Sequence, residues 1–98
     1  MPGQARLGDV TVPAGDHILY PSTSFIEGAD TVFVNGLPAT AIGNQFNIHC
    51  LGSSCDVPTQ DTGSNTVFIE GNGAARIGDR TDCGHLVGTG SFDVFTGD

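Results

Sequence analysis

Thr31-Val32-Phe33-Val34-Asn35-Gly36 returns 35 residues later as Thr66-Val67-Phe68-Ile69-Glu70-Gly71. The phrase after it keeps the same period. Ala41-Ile42-Gly43-Asn44 becomes Arg76-Ile77-Gly78-Asp79, and an upstream copy reads Arg6-Leu7-Gly8-Asp9. Three starts at one fixed spacing define three structural units within a small chain. The third unit is short. Leu7 to Val32 and Ile42 to Val67 are each 25 residues, whereas Ile77 to Val94 is only 17. This pattern predicts a repeat that closes early at the C-terminus.

The repeated phrases read as strands. Val32 to Val34, Val67 to Ile69 and Phe92 to Phe95 are short runs of β-branched and aromatic residues, the composition that suits a pleated, half-buried surface. Turn chemistry follows each run, at Asn35-Gly36, Gly71-Asn72-Gly73 and Thr96-Gly97-Asp98. Further strands are expected around Ala39 to Ile42 and Ala74 to Ile77. The Gly-Asp pairs at 8–9, 15–16, 78–79 and 97–98 read as turns, since both residue types are favoured there. No segment shows a helical period with caps. The fold class is therefore all-β. Three near-equal units can close around a pseudo-threefold axis, which removes exposed sheet edges. Val32, Phe33, Val34, Val67, Phe68 and Ile69 are candidates for the core or for one end of such an assembly.

Ninety-eight residues suggest one domain, spanning 1–98 with no fused effector domain. A chain of this size buries a limited fraction of its surface, so a metal or disulfide staple would help it. The net charge of −8, with only Arg6, Arg76 and Arg80 basic, argues against nucleic-acid binding, which depends on neutralising phosphates. It argues equally against electrostatic attachment to an anionic membrane. There is no apolar run long enough for a spanning helix. Met1 to Arg6 lack the apolar centre of a secretory signal, so synthesis in the cytoplasm is expected. Three cysteines, Cys50, Cys55 and Cys83, leave one thiol over from any full disulfide framework.

Each unit carries one histidine. His17 lies ten residues after Leu7, His49 seven after Ile42, and His85 eight after Ile77. Equivalent positions converge on a pseudo-threefold axis, and Cys83 stands two residues before His85. Three imidazoles and a thiolate give a closed tetrahedral Zn²⁺ site. The absence of a carboxylate from that set favours zinc over magnesium or calcium. Cys50 and Cys55 are open to three readings: free thiols, a mutual disulfide, or metal ligands. No His-Glu-x-x-His motif, nucleophile elbow or P-loop is present, and a four-ligand zinc leaves no open position for catalytic water. A non-enzymatic role is expected.

At this point the chain resembles the PAAR-repeat family. The resemblance rests on Leu37-Pro38-Ala39-Thr40-Ala41-Ile42-Gly43-Asn44 and Asn72-Gly73-Ala74-Ala75-Arg76-Ile77-Gly78-Asp79, with Arg6-Leu7-Gly8-Asp9 and Cys83-Gly84-His85. It runs from about Arg6 to the C-terminus. It implies a small β-rich cone that caps the trimeric, β-helical VgrG-like or phage central spike of contractile injection machines, one tip per trimer. These machines include type VI secretion systems, phage-tail-like particles and contractile phages. It further implies one structural Zn²⁺ near the apex, with His17, His49, Cys83 and His85 as ligands. Transient contact with the target membrane, a recruited effector and delivery into the target cell belong to the same expectation. The competing readings are a small zinc-dependent hydrolase and an autonomous adhesive β-module.

Overall fold

The recurring glycines decide the backbone. Gly8, Gly43 and Gly78 have φ of +90°, +96° and +93°, a region that side chains enter only at a cost. Each is the third residue of a turn in which the fourth residue donates its N–H to the first residue's carbonyl. These bonds run from Asp9 to Arg6, Asn44 to Ala41 and Asp79 to Arg76 at 2.9, 3.1 and 3.0 Å. Positive φ at that position is the signature of a type II turn. The fourth side chain also turns back and accepts the N–H of the first residue, at 2.7, 2.8 and 2.8 Å. The repeated phrase is thus a self-closed corner, made three times.

The structure, a computed structural model, describes residues 1–97. The segments leading into the three corners pair with one another in a closed ring. Gln4 bridges Arg76, Arg6 bridges Ala39, and Ala41 bridges Ala74. At its centre the N–H of Ala5 donates to the carbonyl of Ala75 at 3.0 Å, that of Ala75 to Thr40 at 3.0 Å, and that of Thr40 to Ala5 at 3.2 Å. This cyclic triplet marks the pseudo-threefold axis, and all three residues are fully buried. A second ring repeats the logic with Phe25–Phe46, Gln60–Thr81 and Thr11–Val87. The principal extents, 36 × 23 × 23 Å, have the equal transverse pair that a threefold arrangement requires.

Pairing is distributed over short strands and single bridges. β1 (Thr11–Val12) pairs with β8 (Leu86–Val87), β2 (Phe33–Val34) with β3 (Leu37–Pro38), β4 (His49–Leu51) with β5 (Ser54–Asp56), and β6 (Phe68–Ile69) with β7 (Asn72–Gly73). The β2–β3 turn, Asn35-Gly36, has positive φ at both residues, the requirement of a type I′ hairpin. Its counterpart is Glu70-Gly71, not the Gly71-Asn72-Gly73 stretch expected from composition. Threefold register overrides local turn preference there, placing Asn72 and Gly73 in the returning strand. Glu70 is held by accepting the N–H and hydroxyl of Thr31, at 3.1 and 2.6 Å. Asn35 makes the equivalent tie by donating to Asp93 at 2.8 Å.

The third equivalent pairing joins the segments around Gly3 and Phe95. Phe95 pairs with Gly3, just as Phe33 pairs with Pro38 and Phe68 with Gly73. Of the expected strand at Phe92 to Phe95, only Phe95 pairs, because Phe92 and Asp93 form a bend. Asp98, the last residue of the expected final turn, lies outside the described residues. The expected strands around Ala39–Ile42 and Ala74–Ile77 appear as the ring bridges.

The missing residues of the third unit are not at the C-terminus. Ring positions Asp9 and Phe25 are separated by the same distance as Asn44 and Gln60, whereas Asp79 and Val87 lie closer together. The whole deletion falls in one excursion, 80–86, against 10–24 and 45–59.

Apolar packing is thin. One cluster joins Ala29, Val34, Ala39, Ala41, Ile69 and Ala74, and a second joins Ala5, Phe25, Phe46, Ala75 and Val87. Phe25 and Phe46 stack at 3.9 Å. Within the repeated triplets the strand alternation sorts Val34 and Ile69 inward and Phe33 and Phe68 outward.

Candidate metal centre

The three excursions meet at one site, and each is shaped differently. The first carries β1 and a 3-10 turn at Gly15–His17, so the expected Gly15-Asp16 turn is a single helical turn. Gly15 has φ +63°, and a Cβ there would sit 3.3 Å from the Gly84 backbone. The second is the β4–β5 hairpin, turning at Gly52-Ser53 with Gly52 at φ +62°. The third is a tight turn closed by Gly84 N–H on the Thr81 carbonyl at 3.1 Å and Thr81 N–H on that of His85 at 2.8 Å.

These elements bring the three histidines together. Ring centroids lie 6.0 Å apart for His17–His49 and 5.0 Å for His49–His85. Tyr20 packs against His17 and His49 at 4.3 and 4.8 Å.

Hydrogen bonds fix the tautomers. His17 Nδ1 lies 2.7 Å from the Cys83 carbonyl and His49 Nδ1 lies 3.0 Å from that of Pro21. A carbonyl oxygen only accepts, so Nδ1 bears the proton in both rings and Nε2 presents a lone pair. His49 Nε2 is buried and has no hydrogen-bond partner among the described residues. Asp56 Oδ2 stands 3.7 Å from it. His85 is different. Its Nε2–H donates to the His17 carbonyl at 2.7 Å, and its Nδ1 faces Thr11 Oγ1 at 3.0 Å. Thr11 Oγ1 accepts the Thr23 N–H and gives its own proton to His85. Burial lowers the His85 pKa; its bond to the His17 carbonyl opposes this, and the neighbouring His49 and His17 lower it further.

Cys83 is a free, buried thiol with Thr81 Oγ1 3.0 Å from Sγ. One donor atom each from His17, Asp56 and Cys83 lie within 4.8 Å of one another. In tetrahedral zinc, with bonds of about 2.0–2.3 Å, neighbouring donors sit roughly 3.3–3.8 Å apart, so a shift of about 1 Å closes the set. The residues fit zinc on their own chemistry. Two imidazoles anchor Nδ1–H on backbone carbonyls, the usual support of ligating histidines, and one presents an orphaned buried nitrogen 3.7 Å from the Asp56 carboxylate.

The sequence-predicted residues His17, His49, Cys83 and His85 therefore share one site, with both His85 nitrogens engaged by protein atoms. Cys50 and Cys55 form a cross-strand disulfide, one of the three readings left open. Asp56 was not singled out by sequence. The signal that finds it is the register around Gly52-Ser53: once Cys50 faces Cys55, His49 faces Asp56.

Comparison with known proteins adds two findings. The family described as PAAR motif matches residues 19–89. A double-stranded DNA deaminase toxin A of Burkholderia cenocepacia (strain H111) is 36% identical over 74 residues, covering 76% of this chain and 5% of the toxin. The chain thus spans about one-twentieth of that relative's length.

Proposed function

The chain belongs to the PAAR-motif family, and from that premise we propose that it is the zinc-pinned tip of a trimeric spike in a contractile injection machine. The observation that carries this reading is the pair of closed rings. A single chain with a pseudo-threefold axis can seat on a threefold partner along a shared axis, offering each subunit an equivalent surface. Phe33, Phe68 and Phe95 occupy equivalent positions in the three units, and all are more than half exposed. Equivalent exposed aromatics, one per unit, suit a partner that presents three identical apolar sites. Exposed main chain at the rim could extend the spike's strands by backbone pairing.

The metal supplies cohesion where the fold has little apolar volume. Zinc held by His17, His49 and Cys83 would join all three excursions, with the fourth donor supplied by His85 or Asp56. Metal binding through several segments adds directly to folding free energy. The role is mechanical rather than catalytic: the tip narrows the spike and leads it through the target envelope. In this reading the chain is made in the cytoplasm and assembled on the particle. An effector travelling with the tip is supported by the toxin relative, in which the matching stretch is a small part of a far longer chain.

The test is stoichiometry. The purified chain mixed with its cognate spike trimer should form a complex of one tip per three spike subunits, read by light scattering after size exclusion. Exchanging Phe33, Phe68 and Phe95 for serine should abolish it. A chain that binds no spike trimer, or binds at three per trimer, would sink the proposal.

A further inference from the structure

We infer that the surface bearing Phe33, Phe68 and Phe95 fits a threefold partner end that carries basic side chains, lysine or arginine, outside its three apolar sites. The inference rests on the spike reading above and deepens it by giving the chemistry of the partner.

The apolar part of this surface is a triad. Phe33, Phe68 and Phe95 are 58, 59 and 52% exposed. The residue after each one, Val34, Ile69 or Thr96, is buried. Alternation therefore returns the following residue to the outward side. Those residues are Asn35, Glu70 and Gly97. The residues two before each phenylalanine share that side, and they are Thr31, Thr66 and Asp93. Two positions of the repeat thus set what flanks each aromatic ring.

The flanking residues tie one unit to the next. Glu70 accepts the N–H and hydroxyl of Thr31 at 3.1 and 2.6 Å, and Asp93 accepts the Asn35 amide at 2.8 Å. Each of these two junctions holds one exposed carboxylate. In the first it comes from the turn, and in the second from the start of the strand. The repeat position has changed while the charge at the junction has not. At the third junction the Gly97 carbonyl accepts from Ser64 Oγ and from Arg76, at 2.7 and 3.1 Å.

The nearby cations are already matched. Arg6 and Arg76 pair with Asp9 and Asp79 at 3.0 and 2.9 Å. Hydrogen bonds from Asn35 and then Ser91 hold the Asp93 carboxyl below its ordinary pKa, so it is charged at neutral pH. Negative charge therefore flanks an apolar centre. A neutral or acidic partner seated there would strip water from these carboxylates without compensation. Cations placed outside the apolar sites compensate them, steer the approach and disfavour wrong partners.

The experiment follows association of the chain with its cognate spike trimer from about 0.01 M to about 1 M NaCl, across which the screening length falls from about 30 to about 3 Å. Wild-type association should slow by about tenfold or more over that range. Glu70→Gln combined with Asp93→Asn keeps an acceptor at each junction and removes both charges. This double variant should associate about fivefold more slowly than wild type at low salt and match it at high salt, with dissociation little changed. Equal association rates at low salt, or a wild-type rate that does not fall with salt, would overturn the basic partner and leave the spike reading standing. A wild-type chain that forms no complex at any salt overturns both. The wild-type salt series needs no variant, so the inference stays open to refutation even if the double variant folds poorly.

Discussion

The ring-bearing body and the candidate metal centre are built from the same three units, yet equivalent positions behave oppositely in them. In the body they do the same job each time: three corners, three axial hydrogen bonds and two closed rings of bridges. At the candidate metal centre one unit supplies a 3-10 turn, one a disulfide-clamped hairpin and one a shortened turn. Backbone hydrogen bonding depends little on side-chain identity, so it tolerates a loose repeat and keeps the symmetry. The symmetry breaks where the three excursions set unlike side chains, an imidazole, a carboxylate and a thiol, within 4.8 Å of one another.

Metal removal should give the largest effect. With zinc at a thousandfold excess over its dissociation constant, linkage stabilises the fold by about 4 kcal/mol, roughly 20 °C in Tm for a chain of this length. Stripping the metal with a strong chelator should lower Tm by that order. Hydrogen exchange should quicken around His17, His49 and Cys83 while the axial amides of Ala5, Thr40 and Ala75 stay protected. Uniform loss of protection would show that the two regions are one cooperative unit.

Next comes a change confined to the body. A Cβ at Gly63 would lie 2.8 Å from the carbonyl oxygens of both Gly73 and Ala74, backbone atoms that belong to the ring. Gly63→Val should cost about 3 kcal/mol through overpacking, read by urea unfolding, and should leave zinc affinity little changed in whatever fraction folds.

The corners allow a finer comparison. Asp9 accepts bonds from the Arg6 backbone, the Arg6 guanidinium and Thr89 Oγ1. That bonding, with its charge, raises the Arg6 pKa above its ordinary value. The equivalent Asn44 accepts the Ala41 N–H. Asp9→Ala should therefore cost about 2 kcal/mol and Asn44→Ala about 1 kcal/mol. Equal losses would mean that only the shared backbone cap matters.

The smallest effect is a gain. Thr40 stands on the axis beside Ala5 and Ala75, and its hydroxyl is buried with no partner among the described residues. Thr40→Ala makes the axial triplet uniform and should stabilise by up to about 1 kcal/mol, since an unsatisfied buried hydroxyl is removed. A loss of stability would point to a hydroxyl partner that the fold supplies in solution.

Much of the body was legible in the chain. The recurrence of Gly8, Gly43 and Gly78 marked the three corners because a positive-φ position leaves a direct trace in residue type. Asn35-Gly36 marked a hairpin for the same reason. Glu70-Gly71 was not legible, because Glu adopts φ > 0 there under the pull of threefold register and the Thr31 contacts. The fate of the Val-Phe-Val and Val-Phe-Ile triplets was equally hidden, since alternation predicts two faces without saying which is inside.

The sequence by itself determined that there are three units, that they are β-rich, and that each brings one histidine. Those features are written in residue identity and spacing. Only the tertiary structure decided that the segments around Gly3 and Phe95 complete the third pairing and that the deletion lies in the 80–86 excursion. It alone decided that Asp56 reaches the histidines, whereas His85 turns its nitrogens to Thr11 and to the His17 carbonyl. These outcomes depend on which segments meet across the axis. Contacts between residues dozens of positions apart set them, and no local pattern records such contacts.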